Sequence, residues 1–453
     1  MGKKEGNWNI FENLKGDKVV WMIVLMLILW SIVCIFSSTS SLSEVLSGSK
    51  TRLDVVREMM TVVGLGFGLI LICYNYFGVR TYKALSRFGF LVSLVLLLMV
   101  VSHFRISEGF RAGTINNAWR VIKVGGFQVH VYEIVKVAMI MYMAWAVDAF
   151  IEDSFPLVNE LSKLKHMKWL SRPFWKKTVC IYIPMFIVMG LTALGSGSSA
   201  AFIGAIMLAT ILVGGLRAWE VFIPVILLVL MITGFIVLNK VTGGAVIEKI
   251  PRAQTWMSRI EGPKKTLDLL DEMKPGTDEY RKAVDKIRQP YSAKIAIKQG
   301  GLLGKGAGQS TQRYVVPVMY EDYMFSFIIE EYGLLGAIII IFLYVSLLAR
   351  GTVIVKGCVG RFEKIAVAGL VTLITGQALL HMFVNVGIGP LTGQTLPLIS
   401  YGSSSFIMFC IAFGVILSLS RGARQNIEKE RQESGAIHLE HMDPISEDMD
   451  SEV

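Results

Sequence analysis

Long apolar segments dominate this sequence and constrain its fold more than any other feature. A helix that crosses a bilayer needs about 20 apolar residues. Ten segments approach that length: 19–37, 59–77, 88–103, 131–150, 178–194, 200–215, 220–239, 323–349, 365–387 and 403–420. Only 18% of the residues are charged, whereas soluble proteins average about 25%. The pattern therefore predicts an all-α integral membrane protein with about ten transmembrane helices.

Polar regions divide the chain into three parts. Residues 1–18 are predicted to be a cytoplasmic N-terminus rather than a signal peptide, because no small-residue cleavage site follows them. Residues 19–420 form the predicted membrane domain, in which one large outer loop, 240–322, separates the seventh and eighth spans. Residues 421–453 form a polar cytoplasmic tail.

Basic residues in the short loops predict the orientation, because Lys and Arg are enriched in cytoplasmic loops. Counted alternately between spans, these loops all fall on one side, which places both termini in the cytoplasm. The residues are Arg80, Lys83, Arg87, Lys163, Lys165, Lys168, Arg172, Lys176, Lys177, Arg350, Lys356, Arg361, Lys364, Arg421 and Arg424. The net charge of +10 is thus assigned to loops that face anionic lipid, and no nucleic-acid partner is expected.

The outer segment 104–130 runs against this charge distribution. Its cations are Arg105, Arg111, Arg120 and Lys123. Contact with lipid head groups explains them, and so does a cationic site for an anionic substrate. The sequence leaves both interpretations open.

Ionisable residues inside apolar segments are candidates for a functional site, since each costs about 2.5–3.5 kcal/mol on insertion scales. Glu133 and Lys136 open the fourth span and share a helix face. They form either a neutralised structural pair or one wall of an outward-facing cavity. Asp322 lies where the large loop enters the eighth span, and it serves either as a helix cap or as a general base.

Further polar residues lie in the last spans. Glu330 and Glu331 follow Asp322 inside an apolar helix, where they either anchor the bundle or tune the pKa of Asp322. A stripe of polar residues recurs at a spacing of four along the ninth span: Gln377, His381 and Asn385. Hydrogen bonding between helices is the main interpretation of that stripe. The segment 397–405 is predicted to be extended and re-entrant, lining the site and covered by protein.

The second half of the chain carries a series of short blocks in a fixed order. They are Ala293–Ile297, Gly300–Gly306, Ser310–Gln312, Glu321–Asp322, Ile329–Gly333, Asn385–Gly387 and Pro390–Ser404. These blocks resemble the SEDS family (shape, elongation, division and sporulation) of bacterial cell-wall polymerases, which includes FtsW, RodA and SpoVE. Within that family, Gly16–Trp21 and Arg252–Trp256 resemble the FtsW branch.

The resemblance implies a peptidoglycan glycosyltransferase that polymerises lipid II during cell division. Asp322 matches the family's essential aspartate and is the predicted catalytic base. Cations would hold the leaving diphosphate, and a divalent cation (Mg²⁺ or Mn²⁺) at Asp322 is one expectation. The predicted substrate-binding residues are Glu133, Lys136, Arg120, Lys294, Lys305, Gln312, Asn385, Ser400 and Ser403.

The resemblance also implies partners and a location. The expected ligands are lipid II and lipid-linked glycan. The expected protein partners are a class B penicillin-binding protein, similar to FtsI, and other proteins of the division machinery. The expected location is the division septum, in the cytoplasmic (inner) membrane of a bacterium.

The sequence departs from the family at two motifs. His130–Tyr132 replaces the Gln-Pro-Ser that precedes the family's Glu and Lys, which are Glu133 and Lys136 here. The run Gly195–Ala201 replaces the family's Pro-Asp-x-Gly-Thr-Ala and lacks its acid. Three alternatives stay open: a lipid II flippase, a RodA-type elongation polymerase and a non-catalytic division scaffold. Acids and a large loop on the predicted outer side favour chemistry there over a flippase.

Overall fold

The long helices account for most of the structure. A computed structural model describes residues 16–38, 52–217 and 277–440, apart from 108, 116–117, 126, 165, 317–318 and 390–391, together with isolated positions between 218 and 276. The helices are α1 Lys18–Ser38, α2 Arg52–Tyr76, α3 Val79–Val101, α4 Val131–Ile151, α5 Pro173–Gly195, α6 Gly197–Val213, α7 Asp278–Gly300, α8 Met324–Gly357, α9 Arg361–Asn385 and α10 Ser403–Glu440. Shorter helical pieces are Pro156–Ser162, Lys168–Ser171, Gln312–Tyr314 and Met319–Asp322.

The predicted membrane architecture is confirmed. Within the described residues, eight helices are long and apolar enough to cross a membrane, and α6 is a shorter apolar helix. Together they match nine of the ten predicted spans, with ends shifted by several residues. The remaining predicted span, 220–239, lies outside the described residues apart from isolated positions. The chain is therefore a mostly helical, multi-pass membrane protein.

The most buried helices lie at the centre of the bundle. The apolar windows of α4 and α10 are each 72% buried, whereas that of α3 is 22% buried. The helix α10 packs along α2, α3 along α4, and α8 along α9. Peripheral helices turn large apolar side chains outward, including Leu29, Leu91 and Phe342. In a membrane protein such side chains face lipid, which solvates them.

A small sheet is an addition to the predicted all-helical fold. Residues of the 104–130 segment form four antiparallel strands, β1 Arg105–Ser107, β2 Phe110–Ile115, β3 Ala118–Val124 and β4 Phe127–His130, in the order β1-β2-β3-β4. Ala112 and Ile122 are buried, and the sheet packs on α3, α4 and α5. It therefore caps one end of the bundle.

The helix α8 is broken at Gly333, where φ is +70°. Residues 300–306 lie against the break, and Lys305 N and Gly306 N donate to Glu330 O and Glu331 O at 2.9 Å each. These amides take carbonyls that a continuous helix would have bonded internally. A Cβ on Gly333 would overlap Leu302 O, so this close approach requires glycine.

The bundle has two different ends. At the tail end, Asp17 before α1 pairs with Arg350 of α8, and Arg424 of α10 donates to Gly16 O. At the sheet end, β4 bonds to the start of α10, and the 392–402 segment between α9 and α10 bonds to the short helix Met319–Asp322 that precedes α8. The connection between α2 and α3 also lies at the tail end, where Ser418 Oγ of α10 donates to Phe77 O and Lys83 of α3 pairs with Asp148 of α4. Which end faces the cytoplasm stays a prediction.

Candidate active site

Asp322 lies at the sheet end, where the short helix Met319–Asp322 meets α8. The residue is partly exposed, but its backbone is held firmly. Three consecutive carbonyls accept hydrogen bonds: Tyr401 N to Tyr320 O (2.9 Å), Ser400 Oγ to Glu321 O (2.8 Å) and Asn385 Nδ2 to Asp322 O (3.1 Å). The helix α9 and the 392–402 segment therefore jointly fix the position of this carboxylate.

The 392–402 segment is non-helical backbone buried in the bundle. Leu396, Leu398 and Ile399 are each at most 1% exposed. Tyr344 Oη donates to Pro397 O, and Ser31 Oγ donates to Ile399 O at 3.1 Å. Protein thus covers this irregular backbone, as predicted for 397–405, although 397–399 form a turn rather than an extended run and Ser403 already begins α10.

Gly393 lies beside the carboxylate of Asp322. A Cβ built on Gly393 would lie 3.7 Å from Asp322 Oδ2 and 3.9 Å from Oδ1. Its φ of +62° is unfavourable for residues that carry a side chain. The absence of a side chain at this position keeps space open next to Asp322.

Glu321 is a second carboxylate in the same turn. Burial, together with the neighbouring charge of Asp322, raises its pKa from 4.5 to about 7. Burial, together with the neighbouring charges of Glu321, Tyr401 and Asp322, raises the pKa of Tyr320 to about 12. Near neutral pH the turn therefore contains one carboxyl group that readily holds a proton. Sequence reasoning did not select Glu321, although it is adjacent to Asp322.

Lys136 is buried and fully coordinated by protein. Its Nζ donates to Glu133 Oε1 and Gln377 Oε1 at 2.7 Å each and to Gln394 Oε1 at 3.0 Å. The residue is 1% exposed, and the rings of Phe202 and Phe409 flank it at about 6 Å. All three N–H groups are used, so Lys136 joins α4, α9 and the 392–402 segment. The predicted pairing with Glu133 is present; substrate binding by the pair stays a prediction.

The polar stripe of α9 also holds the site together. Beyond its bond to Lys136, Gln377 donates Nε2 to Thr395 O at 2.9 Å, and His381 Nδ1 lies 2.7 Å from Gln394 O. Asn385 Oδ1 accepts from Ser326 Oγ at 2.8 Å, at the start of α8. The stripe thus forms the predicted hydrogen bonds between elements. Asn385, selected as a substrate contact, is 1% exposed and bonds protein groups with its whole amide.

Ser400 and Ser403 differ in their surroundings. Ser400 is 4% exposed, and its Oγ accepts from Leu396 N while donating to Glu321 O. Ser403 is exposed at the first residue of α10. Ser400 therefore positions the turn that carries Asp322, whereas Ser403 is accessible to a ligand.

The acids of α8 anchor a loop rather than approach Asp322. Glu330 Oε1 accepts from Lys305 Nζ at 2.6 Å and from Thr311 N at 2.9 Å, and Oε2 accepts from Ser310 Oγ. Glu331 accepts from Ser37 Oγ of α1. Of the two alternatives for these acids, anchoring is the one that these bonds support. Lys305 Nζ also donates to Gln299 Oε1 and Thr311 Oγ1.

The remaining predicted residues lie around this core. Lys294 is exposed on α7, and its Nζ lies 5.6 Å from the ring centroid of Tyr291. Its Cε lies 2.5 Å from the position that a Cβ on Gly387 would take. Arg120 Nε donates to Gly195 O at 3.4 Å, which connects β3 to the end of α5. Gln312 N faces the Glu330 carboxylate at 3.4 Å.

The described residues bring no three His, Cys, Asp or Glu side chains together as a metal centre. Magnesium in phosphate-processing sites is commonly held by one or two carboxylates plus the substrate's phosphates. Asp322, which is partly exposed, suits such a single protein ligand. The divalent cation stays a prediction.

Gln394 and Ser405 are two further site residues that sequence reasoning missed. Gln394 accepts from Lys136 and donates to Ser199 Oγ of α6 at 3.2 Å. Ser405 Oγ donates to Glu133 Oε2 at 3.2 Å and lies 2.7 Å from Thr395 Oγ1. Gln394 lies within the Pro390–Ser404 block, so that block contained the signal. Nothing in the sequence indicated that Gln394 bonds to Lys136 of α4, which lies more than 250 residues away in the chain.

The fold and this site define a class: helical membrane proteins that hold one acidic residue at an end of the bundle through buried polar side chains. The family model described as "Cell cycle protein", which covers FtsW, RodA and SpoVE, matches residues 17–425. The chain therefore belongs to the FtsW/RodA/SpoVE family.

Curated relatives and solved structures are similar over most of the chain. Proteins named probable peptidoglycan glycosyltransferase FtsW, from Geobacter metallireducens and Enterococcus hirae, are 25% and 26% identical and cover 91% and 92% of this chain and 96% of their own. Stage V sporulation protein E of Bacillus subtilis is 27% identical over 76% of this chain and 81% of its own.

Two solved structures show the same fold. A chain from "Structural coordination of polymerization and crosslinking by a peptidoglycan synthase complex" has a TM-score of 0.62 and 20% identity, covering 91% of this chain and 99% of its own. The rod shape determining protein RodA of Thermus thermophilus has a TM-score of 0.54 and 18% identity, covering 90% and 98%.

Proposed function

We propose that this protein is a peptidoglycan glycosyltransferase that polymerises lipid II at the outer face of the cytoplasmic membrane during cell division. The observation that carries the proposal is the placement of Asp322: three consecutive backbone carbonyls are fixed while the residue stays partly exposed. The names of the curated relatives give the reaction class.

The proposed reaction needs one base. A sugar hydroxyl of one lipid-linked disaccharide attacks the anomeric carbon of the growing glycan, whose bond to the lipid diphosphate breaks. The hydroxyl proton passes to the Asp322 carboxylate, and the electron pair of the broken bond leaves with the diphosphate. Glycosidases usually need a second carboxyl group to protonate an alcohol leaving group. A diphosphate leaves as a stable anion, so cations replace that acid.

The roles proposed for the basic residues follow from their partners. Lys294 is exposed and has no carboxylate partner among the described residues, so it is proposed to contact the diphosphate directly. Lys136 and Lys305 use their donors on protein acceptors, so they are proposed to position the elements around Asp322. Arg120 is proposed to reach the substrate from β3.

The proposed orientation places the sheet end outside the cell. Short loops rich in Lys and Arg lie at the tail end, and such loops remain cytoplasmic. Asp322 would then meet a lipid-linked sugar at the outer surface. A septal location and a class B penicillin-binding protein as partner are proposed from family membership.

The test is polymerisation of purified lipid II by the full-length protein, reconstituted with its class B partner and assayed by gel electrophoresis of the glycan products. Glycan chains with the wild type, and none with Asp322→Ala of equal thermal stability, are expected. Undiminished polymerisation by Asp322→Ala would refute the base assignment. Translocation of lipid II in liposomes without polymer would favour the flippase alternative, and normal division by an Asp322→Ala strain would favour a scaffold.

A further inference from the structure

The sheet carries a row of cations that the proposed reaction does not use. Arg105 of β1 lies directly opposite Arg111 of β2, and Arg111 lies directly opposite Lys123 of β3. Directly opposite residues of neighbouring strands share one face of a sheet. Gln128 of β4 continues the row opposite Lys123, so the row contains no acidic residue.

This arrangement is unfavourable without a counter-charge. Like charges directly opposite each other destabilise a sheet, and Arg111 and Lys123 are such a pair. Among the described residues, no carboxylate forms an ion pair with Arg111 or Lys123. An anionic ligand would convert the repulsion into binding energy, since Arg and Lys form short, charge-assisted hydrogen bonds with phosphate oxygens.

A cavity is present where these side chains meet. It has a volume of about 290 Å³, and its lining includes Arg105, Arg111, Lys123, His103 and Gly113. Lys123 lies across Gly113, where a Cβ would come within 3.2 Å of Lys123 Cε. His103, with a φ of +55°, packs against Trp119 at a ring-centroid distance of 4.3 Å and an interplanar angle of 52°. The cavity is thus a cationic pocket with room for a phosphate group.

The opposite face of the sheet supplies an apolar edge. Ile106, Val124 and Phe127 are 70%, 45% and 79% exposed. Ile106 and Val124 directly follow Arg105 and Lys123, so they point to the other face. A surface with cations on one face and exposed apolar side chains on the other suits the boundary between lipid head groups and acyl chains.

We propose that His103, Arg105, Arg111 and Lys123 form a binding site for the phosphate of a membrane-lipid head group. The site is separate from Asp322 and its hydrogen-bonded turn, and it does not depend on the polymerase function. It would attach the sheet to the membrane surface, as basic pockets of other membrane proteins bind anionic head groups.

The experiment measures lipid binding by native mass spectrometry of the full-length protein in a neutral detergent. Dihexanoyl phosphatidylglycerol, dihexanoyl phosphatidylcholine and inorganic phosphate are titrated separately. The test variant is Arg111→Gln/Lys123→Gln. The control variant, Arg80→Gln/Lys356→Gln, removes the same charge at the tail end. Thermal unfolding verifies that both variants are folded, and Arg111→Lys/Lys123→Arg keeps the charge.

The wild type and the control variant are expected to bind phosphatidylglycerol more tightly than phosphatidylcholine. The test variant is expected to bind phosphatidylglycerol at least about tenfold more weakly, as for the loss of one charge-assisted contact, and the charge-conserving variant is expected to retain binding. Inorganic phosphate that binds as tightly as the lipid would support a phosphate site but assign it to free phosphate. Equal binding of phosphatidylglycerol by the test and control variants would overturn the proposal.

Discussion

Replacement of Lys136 by Met is expected to destabilise the protein strongly. The substitution leaves the carboxylate of Glu133, 15% exposed, and the amide oxygens of Gln377 and Gln394 without their shared donor. An unsatisfied buried polar group costs about 1–3 kcal/mol, and breaking a buried ion pair costs about 3–5 kcal/mol. The free energy of unfolding should therefore fall by about 3–5 kcal/mol.

A matched control lies on the surface. Lys163 and Glu160 have the same spacing of three as Lys136 and Glu133, but their side chains are 69% and 70% exposed. Lys163→Met should change the free energy of unfolding by about 0.5 kcal/mol or less. Reversible unfolding in mixed micelles measures both values. Removing the charge of Glu133 as well, in Glu133→Gln/Lys136→Met, should restore part of the loss, since no unpaired buried charge remains.

The outcome also separates two roles of Lys136. Unchanged stability of Lys136→Met, together with lost polymerisation, would refute the positioning role and indicate that the ammonium contacts substrate. Lost stability in Lys136→Met with partial recovery in the double variant supports the positioning role.

Three further predictions concern the turn, the loop and the space beside Asp322. Because the pKa of Glu321 is raised to about 7 in the folded protein, the folded protein holds a proton that the unfolded chain releases above pH 4.5. The free energy of unfolding should therefore fall by up to about 3 kcal/mol as the pH rises from 4.5 to 7. Unfolding of Glu321→Gln, measured over the same pH range, should lack this fall. Glu330→Gln weakens the buried anchor of residues 305–312 and should lower the free energy of unfolding by about 3 kcal/mol. Proteolysis of that loop should also become faster in the variant. Cleavage at the wild-type rate would contradict the anchoring role. Gly393→Ala adds a methyl group 3.7 Å from Asp322 Oδ2 and should reduce lipid II polymerisation. Gly125→Ala is the control, because Gly125 has nearly the same φ of +61° but open space around it, and it should reduce polymerisation less. Equal losses in the two variants would show that backbone strain alone matters.

The membrane fold could be predicted because hydrocarbon imposes a length and an apolar composition on each span. The sheet could not, since its strands are three to seven residues long and cations interrupt their apolar pattern. Ala112, Ile122 and Val124 lie on one face of the sheet, and the neighbouring helices bury the first two. The sequence alone does not show which of these apolar side chains are buried. Short strands with mixed faces carry a weak sequence signal.

The site shows the same division between local and distant information. The spacing of Glu133 and Lys136 predicted their pairing, because residues three apart on a helix are neighbours. Their partners Gln377 and Gln394 belong to other elements, and one sequence does not indicate which distant residues meet. The acids Glu330 and Glu331 were recognised as costly, but the sequence did not indicate that the loop packed against Gly333 and Ser37 of α1 would satisfy their charges.

We propose that Asp322, and not its neighbour Glu321, removes the proton from the attacking hydroxyl. Initial rates of lipid II polymerisation by Asp322→Asn and Glu321→Gln, each reconstituted with the class B partner, test it most directly. General-base catalysis contributes about 10²–10⁴-fold, so Asp322→Asn should lose at least about 100-fold, while Glu321→Gln should retain most of its rate. A large loss in Glu321→Gln with an active Asp322→Asn enzyme would contradict the claim.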